Sequence, residues 1–513
     1  MSNTGVFNDL QNKWYFKDNR QLTYFRTWLL FSIIAALSYI FQYPFNASVD
    51  FFMLADPGGA LKGDYLITQG YSPTIDFTYN YGLLPLSIGR IWFEIFGRTP
   101  QAYLGAMLVF NLLIVAALTR IVFVADLRRI GIIFIACTIP FSIMPSYPNF
   151  THALEALLIY LALGEHISGR KHYALVLLTV NLFVKPSMSY VYIFLILVIY
   201  GIDLLRKRTQ FVTVFFQVLP AGLIFIFLLI LMGINFGIIP IFNTIIPIAG
   251  SQNYKANNYG FFTGIGRHFW YFPQVKIGYY LGSITGFWIF TTVILFLSVV
   301  YFSWQIFTKK ISHSKIPFLE VQFCILLLHL SFVLFFFGNS WSWFYYSYLL
   351  PIGLSFLTSY KFHEFKKIRI FLFCMLISLI LLGYRGLFIS NYRLWHDTKP
   401  QTSMLGLYAS SDYTNEFMNI VESCKRQNVL ILSDMGATDL FFPKCHMPNT
   451  WYTGLPFNNL LENARISQQF SQAKSIIIPT GKLDIMKIKL IRGYLGNFQI
   501  YRTTKNFIYL NKK

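Results

Sequence analysis

The sequence predicts a mainly α, polytopic transmembrane helical bundle of about eleven spans, closed by a small extracytoplasmic C-terminal α/β domain. Three observations predict it. Apolar runs of spanning or near-spanning length recur from Thr27 to Ser390, Lys and Arg crowd into alternate turns between them, and the composition changes after Asn391. Of the 513 residues 55% are hydrophobic and 12% charged, with a mean hydropathy of +0.51, which is more apolar than a soluble domain tolerates. Lipid is therefore the main solvent, and one large membrane domain is a simpler reading than several soluble ones.

Taken in order, residues 1–26 form a cytoplasmic tail and 27–390 the membrane domain, with spans expected at 27–45, 101–119, 130–146, 151–164, 172–184, 188–204, 211–233, 280–306, 317–337, 343–360 and 369–388. The shorter runs must be buried among neighbours. No small-residue cleavage site follows the first run, so it reads as an anchor rather than a signal peptide. With the N-terminus inside, every cytoplasmic turn is basic: Arg120, Arg128 and Arg129; Arg170 and Lys171; Arg206, Lys207 and Arg208; Lys309, Lys310 and Lys315; Lys361, Lys366, Lys367 and Arg369. The alternate turns at 146–150, 185–187 and 338–342 hold only Lys185. This asymmetry orients the chain with its C-terminus outside. The formal charge of +21 is thus a topology signal and an attraction to anionic membrane lipids, and no basic-aromatic stripe accompanies it, so no nucleic-acid partner is expected.

Two outside loops, 46–100 and 234–279, and the domain at 391–513 have room for chemistry. In the last, the runs Asn428–Ser433 and Ser475–Pro479 read as strands among short helices. Cys137, Cys324 and Cys374 lie in apolar runs, whereas Cys424 and Cys445 are the pair an oxidising exterior would allow to bridge. No Cys or His spacing resembles a zinc site, no cofactor is required by any motif, and a divalent metal is left open.

The first loop carries Asp50, Asp56, Asp64, Asp76 and Glu94. It reads as a short helix over 57–68 ending before Gly70, then an extended stretch from Tyr71 to Phe77, then an aromatic segment, Tyr79 to Pro85. Asp56 followed by Pro57 suits a helix N-cap with Pro at the first helical position. Asp64 and Glu94 read as solvated, or paired with Lys62 and Arg90. Lys185 is an outlier, because an ammonium between two apolar spans must snorkel or meet an anion. His152 and Glu155, three residues apart near the outer end of the fourth span, are an ionisable pair in lipid, which marks either a functional site or mutual satisfaction between helices.

In order along the chain, Asp56-Pro57-Gly58, Gly70 and Pro73 before Asp76-Phe77, Tyr81-Gly82 with Pro85, Phe96-Gly97 and Lys185-Pro186 resemble the glycosyltransferase-C superfamily. The likeness is to bacterial enzymes of the protein-mannosyltransferase and aminoarabinose-transferase type, and covers roughly the first two hundred residues. A single Asp56 stands where that superfamily has an acidic pair. The resemblance implies an inverting displacement, in which a carboxylate takes the proton of an acceptor hydroxyl and a lipid phosphate leaves. Asp56 is the expected base, with the capping role as its alternative, and Asp50 is the reserve. Asp76 is expected to be structural or acceptor-binding, while Glu155 with His152 would orient the base, the acceptor or a metal. Lys185 would neutralise the carrier phosphate. Arg267 and His268 could join it, although an ordinary exposed basic pair is the better reading of those two.

Nucleotide sugars are confined to the cytoplasm, so an outside site implies a polyprenyl-phosphate sugar donor. The expectation is transfer to a glycan acceptor, such as lipopolysaccharide or O-antigen, at the periplasmic face of a bacterial inner membrane. The alternative is a lipid-linked glycan flippase or secondary transporter, although neither an internal repeat nor a mid-span acidic cluster supports it. An O-antigen polymerase or ligase ranks below both, because the loop 234–279 holds only Arg267 where an arginine-rich loop belongs.

Overall fold

The structure, a computed structural model, describes residues 4–49, 52, 56–77, 79, 81–125, 127, 129–142, 149–246, 300, 320–321, 323–325, 377, 381, 388, 391–432, 467–480 and 489–513. The four spans expected after residue 279 lie outside the described residues, isolated positions aside.

Helix α1 (Thr4–Phe41) runs continuously through the expected tail and the first span. It stops at Gln42, after which the single turn α2 (Tyr43–Asn46) starts with Pro44 near its head. The first outer loop then holds α3 (Asp56–Thr68) and α4 (Leu84–Phe96). Helix α3 ends as expected, with Gly70 at φ +84° just beyond it. Helix α4 was not expected. It buries Pro85, Leu86, Gly89 and Phe93 on one face and exposes Ile91, Ile95 and Phe96, an amphipathic pattern suited to a membrane boundary.

Five further membrane-domain helices correspond to expected spans: α5 (Pro100–Val124), α6 (Arg129–Ser142), α7 (Phe150–Ile167), α8 (Lys171–Leu182) and α9 (Pro186–Leu205). A sixth, α10 (Phe211–Phe236), turns at Gly237 into α11 (Ile238–Ile245). Among the described residues, Thr23–Phe41, Pro100–Val124, Met188–Leu205 and Phe211–Phe236 are long and apolar enough to cross a bilayer. Helix α8 has 12 residues, about 18 Å, and cannot span alone. It packs against α7, α9 and α10, which supply the apolar surroundings that lipid would otherwise provide. The outermost faces are apolar instead: α10 exposes Phe216, Leu223, Phe227 and Ile230, and α1 exposes Leu30, Ile33, Leu37 and Ile40. Such exposure is costly in water and neutral in hydrocarbon.

The C-terminal region opens with a hairpin, β1 (Lys399–Gln401) antiparallel to β2 (Leu407–Ala409), followed by α12 (Ser411–Arg426). Strands β3 (Val429–Ile431) and β4 (Ser475–Pro479) fall in the two runs read as strands from sequence. They pair in parallel, and β5 (Phe498–Thr503) and β6 (Phe507–Lys512) complete a four-stranded sheet of order β3-β4-β6-β5, with the short helix α13 (Lys489–Leu495) before β5. One apolar core joins this region to the bundle, running from Phe31 and Tyr103 to Leu407, Phe417, Val429 and Phe507. Cys424 is disulfide-bonded, while Cys324 is a free thiol. The partner of Cys424 lies outside the described residues, where Cys374 and Cys445 both fall.

Candidate functional site

The residues that converge come from three separate segments. Helix α7 begins under an Asn149 cap, whose side-chain oxygen accepts from the N–H of Thr151 at 3.0 Å and of His152 at 3.2 Å. The Phe150 N–H donates to the Tyr103 hydroxyl at 2.9 Å. This pinned first turn sets His152 and Glu155 on one face, at 1% and 0% exposure. The turn between α8 and α9 is closed by Asn181, whose carbonyl accepts from the Lys185 N–H at 2.8 Å and whose amide donates to Ser189 Oγ at 2.8 Å. Lys185 is the extended N-cap residue of α9, with Pro186 as the first helical residue.

Lys185 Nζ lies 3.3 Å from His152 Nδ1 and 3.6 Å from Glu155 Oε2, and His152 Nδ1 is 3.3 Å from that same carboxylate oxygen. His152 Nδ1 thus stands at the same distance from a group that only donates and one that only accepts, so the imidazole tautomer sets whether it serves the ammonium or the carboxylate. Glu155 Oε1 is buried with no hydrogen-bond partner among the described residues. The triad is an ammonium at a helix N-terminus with a carboxylate and an imidazole, an arrangement able to neutralise an anionic group and to hold a hydroxyl.

The third segment is the aromatic end of the first outer loop. The Gly82 N–H donates to the Val184 carbonyl at 2.8 Å and the Leu84 N–H to the Phe183 carbonyl at 3.0 Å, which clamps the loop onto the turn carrying Lys185. Only glycine allows this approach, since a Cβ on residue 82 would lie 2.0 Å from the Phe183 carbonyl oxygen. Tyr81 then meets His152 edge to face, with ring centroids 5.7 Å apart.

The other expected site residues fall differently. Asp56 opens α3, but its side chain lies outside the described atoms, as do Asp50, Arg267 and His268 entirely. Asp76 closes its own turn: its Oδ2 accepts from the Ser72 N–H at 2.8 Å, and its own N–H donates to the Ser72 carbonyl at 2.9 Å. The expected extended stretch is therefore a tight turn, closed further by the Thr74 N–H to the Phe77 carbonyl at 2.8 Å. A side-chain carboxylate that satisfies its own backbone outweighs the preference of Pro73 for extension. Glu94 pairs with Arg90 at 3.1 Å as expected.

Asp64 does not take Lys62 as its ion-pair partner. It is buried and bound by Arg98 Nε at 2.6 Å, because position 64 of α3 turns inward toward the start of α5. Burial holds its carboxyl above the ordinary value, with Arg98 opposing the shift. Lys62 is itself buried at 1% exposure, a role the surface-pair reading missed. Among the described residues, no three His, Cys, Asp or Glu side chains gather as a metal-binding group. The ammonium of Lys185 would also repel a cation beside His152 and Glu155.

The opposite end of α7, about 21 Å away by helical rise, carries a second polar network. His166 Nδ1 is 3.0 Å from the Tyr192 hydroxyl and its Nε2 is 3.3 Å from Glu320, which also pairs with Lys171 at 3.0 Å. Lys171 reaches Asp203 at 3.4 Å, and Glu165 pairs with Arg120 and with Arg170. The turns expected to be cytoplasmic thus meet one another at one end of the bundle, and the candidate site lies at the other. Their bases were legible as topology signals, but their acidic partners are scattered between residues 165 and 320 and gave no local motif.

No family model and no curated protein matches the sequence. The fold is similar to the crystal structure of ArnT from Cupriavidus metallidurans in the apo state, with a TM-score of 0.51, 10% identity, and coverage of 94% of this chain and 97% of that one. The likeness extends over nearly the whole of both chains, and this protein has an ArnT-like membrane fold.

Proposed function

We propose that the protein is a membrane glycosyltransferase of a bacterial inner membrane, moving a sugar from a polyprenyl-phosphate donor to a periplasmic glycan acceptor of the lipopolysaccharide or O-antigen kind. The observation that carries the reading is the convergence of Lys185, Glu155 and His152 beneath the clamped aromatic loop, in a fold shared with ArnT. Lys185 at the head of α9 supplies the positive field that a leaving phosphate needs, and Glu155 Oε1 offers an acceptor for a sugar or acceptor hydroxyl. Asp56 serves as the base that takes the acceptor's proton, with Asp50 in reserve. The alternating basic turns support an N-terminus in the cytoplasm and a periplasmic C-terminal domain.

Purified protein supplied with a polyprenyl-phosphate sugar should transfer the sugar in detergent, with no membrane gradient. Asp56→Asn should lower transfer by about a thousandfold while donor binding persists. Full activity in that variant would remove Asp56 from the mechanism. Donor translocation across a bilayer without sugar release would mark a flippase instead.

A further inference from the structure

We propose that the C-terminal domain is a working part of the site, because its first hairpin holds the segment that leads from α1 to Asp50 and Asp56. The Tyr408 N–H donates to the Ala47 carbonyl at 2.9 Å, and Ser48 and Tyr408 form a parallel bridge, so strand β2 continues its pairing onto the exit of α2. The Tyr408 ring meets Tyr43 edge to face, with centroids 6.1 Å apart, and Trp395 likewise at 6.1 Å. Trp395 donates its indole N–H to the Phe41 carbonyl at 3.0 Å, which satisfies an acceptor at the last residue of α1. On the far side of the hairpin, the Gln101 amide at the start of α5 donates to the Leu405 carbonyl.

These contacts matter because the held segment cannot hold itself. Helix α2 has four residues, far below the length at which a helix is stable alone, and Asp50 follows Ser48 by only two positions. Its geometry is therefore set by what packs on it: the bundle core that buries Asn46, Ala47 and Val49, and the C-terminal hairpin, whose Leu407 and Ala409 are buried in that same core. A shift of about 1 Å in a base costs on the order of a hundredfold in rate. Tyr408 and Trp395 are thus positioning residues, acting through the 42–49 segment without touching substrate. This rests on Asp50 or Asp56 serving in the reaction proposed above, whereas the mechanical bracing does not.

The test uses the full-length protein in detergent, with hydrogen exchange over residues 42–49 measured beside transfer kinetics. Tyr408→Ala should speed exchange there by about tenfold or more, and lower kcat by a similar factor with the donor KM within about twofold. Exchange at residues 183–185 should stay unchanged. Tyr408→Phe, which keeps the ring, should recover both. Should Tyr408→Ala not fold, Trp395→Phe deletes the bond to Phe41 while keeping a smaller ring against Tyr408, and should show the same pattern more weakly. Unchanged exchange over 42–49 in Tyr408→Ala, or in Trp395→Phe if that is the variant that folds, would overturn the brace. Accelerated exchange with KM raised and kcat kept would overturn the positioning role. If the wild type transfers no sugar from any polyprenyl donor, the functional reading fails, and the exchange data still decide the brace.

Discussion

Replacing Gly82 by Ala should separate the first outer loop from the turn that carries Lys185. The added methyl would lie 2.0 Å from the Phe183 carbonyl oxygen, 2.2 Å from its carbon and 2.8 Å from the Val184 nitrogen, all backbone atoms that cannot rotate away. Reaching ordinary contact requires the two segments to part by roughly 1.3 Å, which stretches the Gly82–Val184 and Leu84–Phe183 hydrogen bonds from 2.8 and 3.0 Å beyond bonding range. Two lost bonds at about 1 kcal/mol each give about 2 kcal/mol, rising to about 4 kcal/mol if the donors stay shielded from water. The lower figure corresponds to about thirtyfold faster exchange of the Leu84 amide, at 1.36 kcal/mol per tenfold. Hydrogen exchange with mass spectrometry reads this directly, and sugar transfer should fall as the Tyr81–His152 contact opens. Gly201→Ala, on a helix face with open space around it, is the control and should be neutral or mildly stabilising. Wild-type exchange at Leu84 in Gly82→Ala would refute the reasoning.

Other outcomes follow from the same geometry. Lys185→Met should lower transfer by about a hundredfold to a thousandfold through loss of the cation beside the leaving phosphate, with partial recovery in Lys185→Arg; a rate within twofold of wild type would exclude that role. Asp64 has a folded-state pKa held above its ordinary value by burial, so it binds its proton more tightly folded than unfolded. Its contribution is then present below the unfolded pKa and lost as pH rises through the folded one. Asp64→Asn should remove this acid-range slope from a stability profile, and Arg98→Ala should cost about 3 kcal/mol at neutral pH by taking the bonded cation from the buried carboxylate. Non-reducing peptide mapping should find Cys424 linked to Cys445, with Cys424→Ser losing about 2–4 kcal/mol; labelling of both thiols in native protein would refute the pair.

Much of the site was legible as parts, and little of it as a whole. Lys185 and the His152–Glu155 pair stood out singly, because ionisable groups among apolar spans are costly and therefore conspicuous. Taken singly they imply different tasks, phosphate binding and acceptor orientation, since nothing in their spacing says that the α8–α9 turn lies beside the head of α7. Tyr81-Gly82 was visible as a motif, yet the reason for the glycine appears only with the carbonyl of Phe183 beside it. Asp76 shows the reverse case, where a conspicuous carboxylate is satisfied by the backbone four residues earlier.

By itself the sequence determined the solvent, the succession of apolar spans as far as α10, though not the amphipathic α4 between them, and which turns belong together. Those follow from composition, from apolar run length and from the cost of moving charge across lipid, all of which act residue by residue. Tertiary structure alone decided that Lys185, Glu155 and His152 meet, that Asp64 answers to Arg98, and that the C-terminal hairpin grips the exit of α1. Each of these joins atoms far apart in the chain, and such contacts are chosen by packing and by the need to satisfy buried polar groups, neither of which leaves a local pattern.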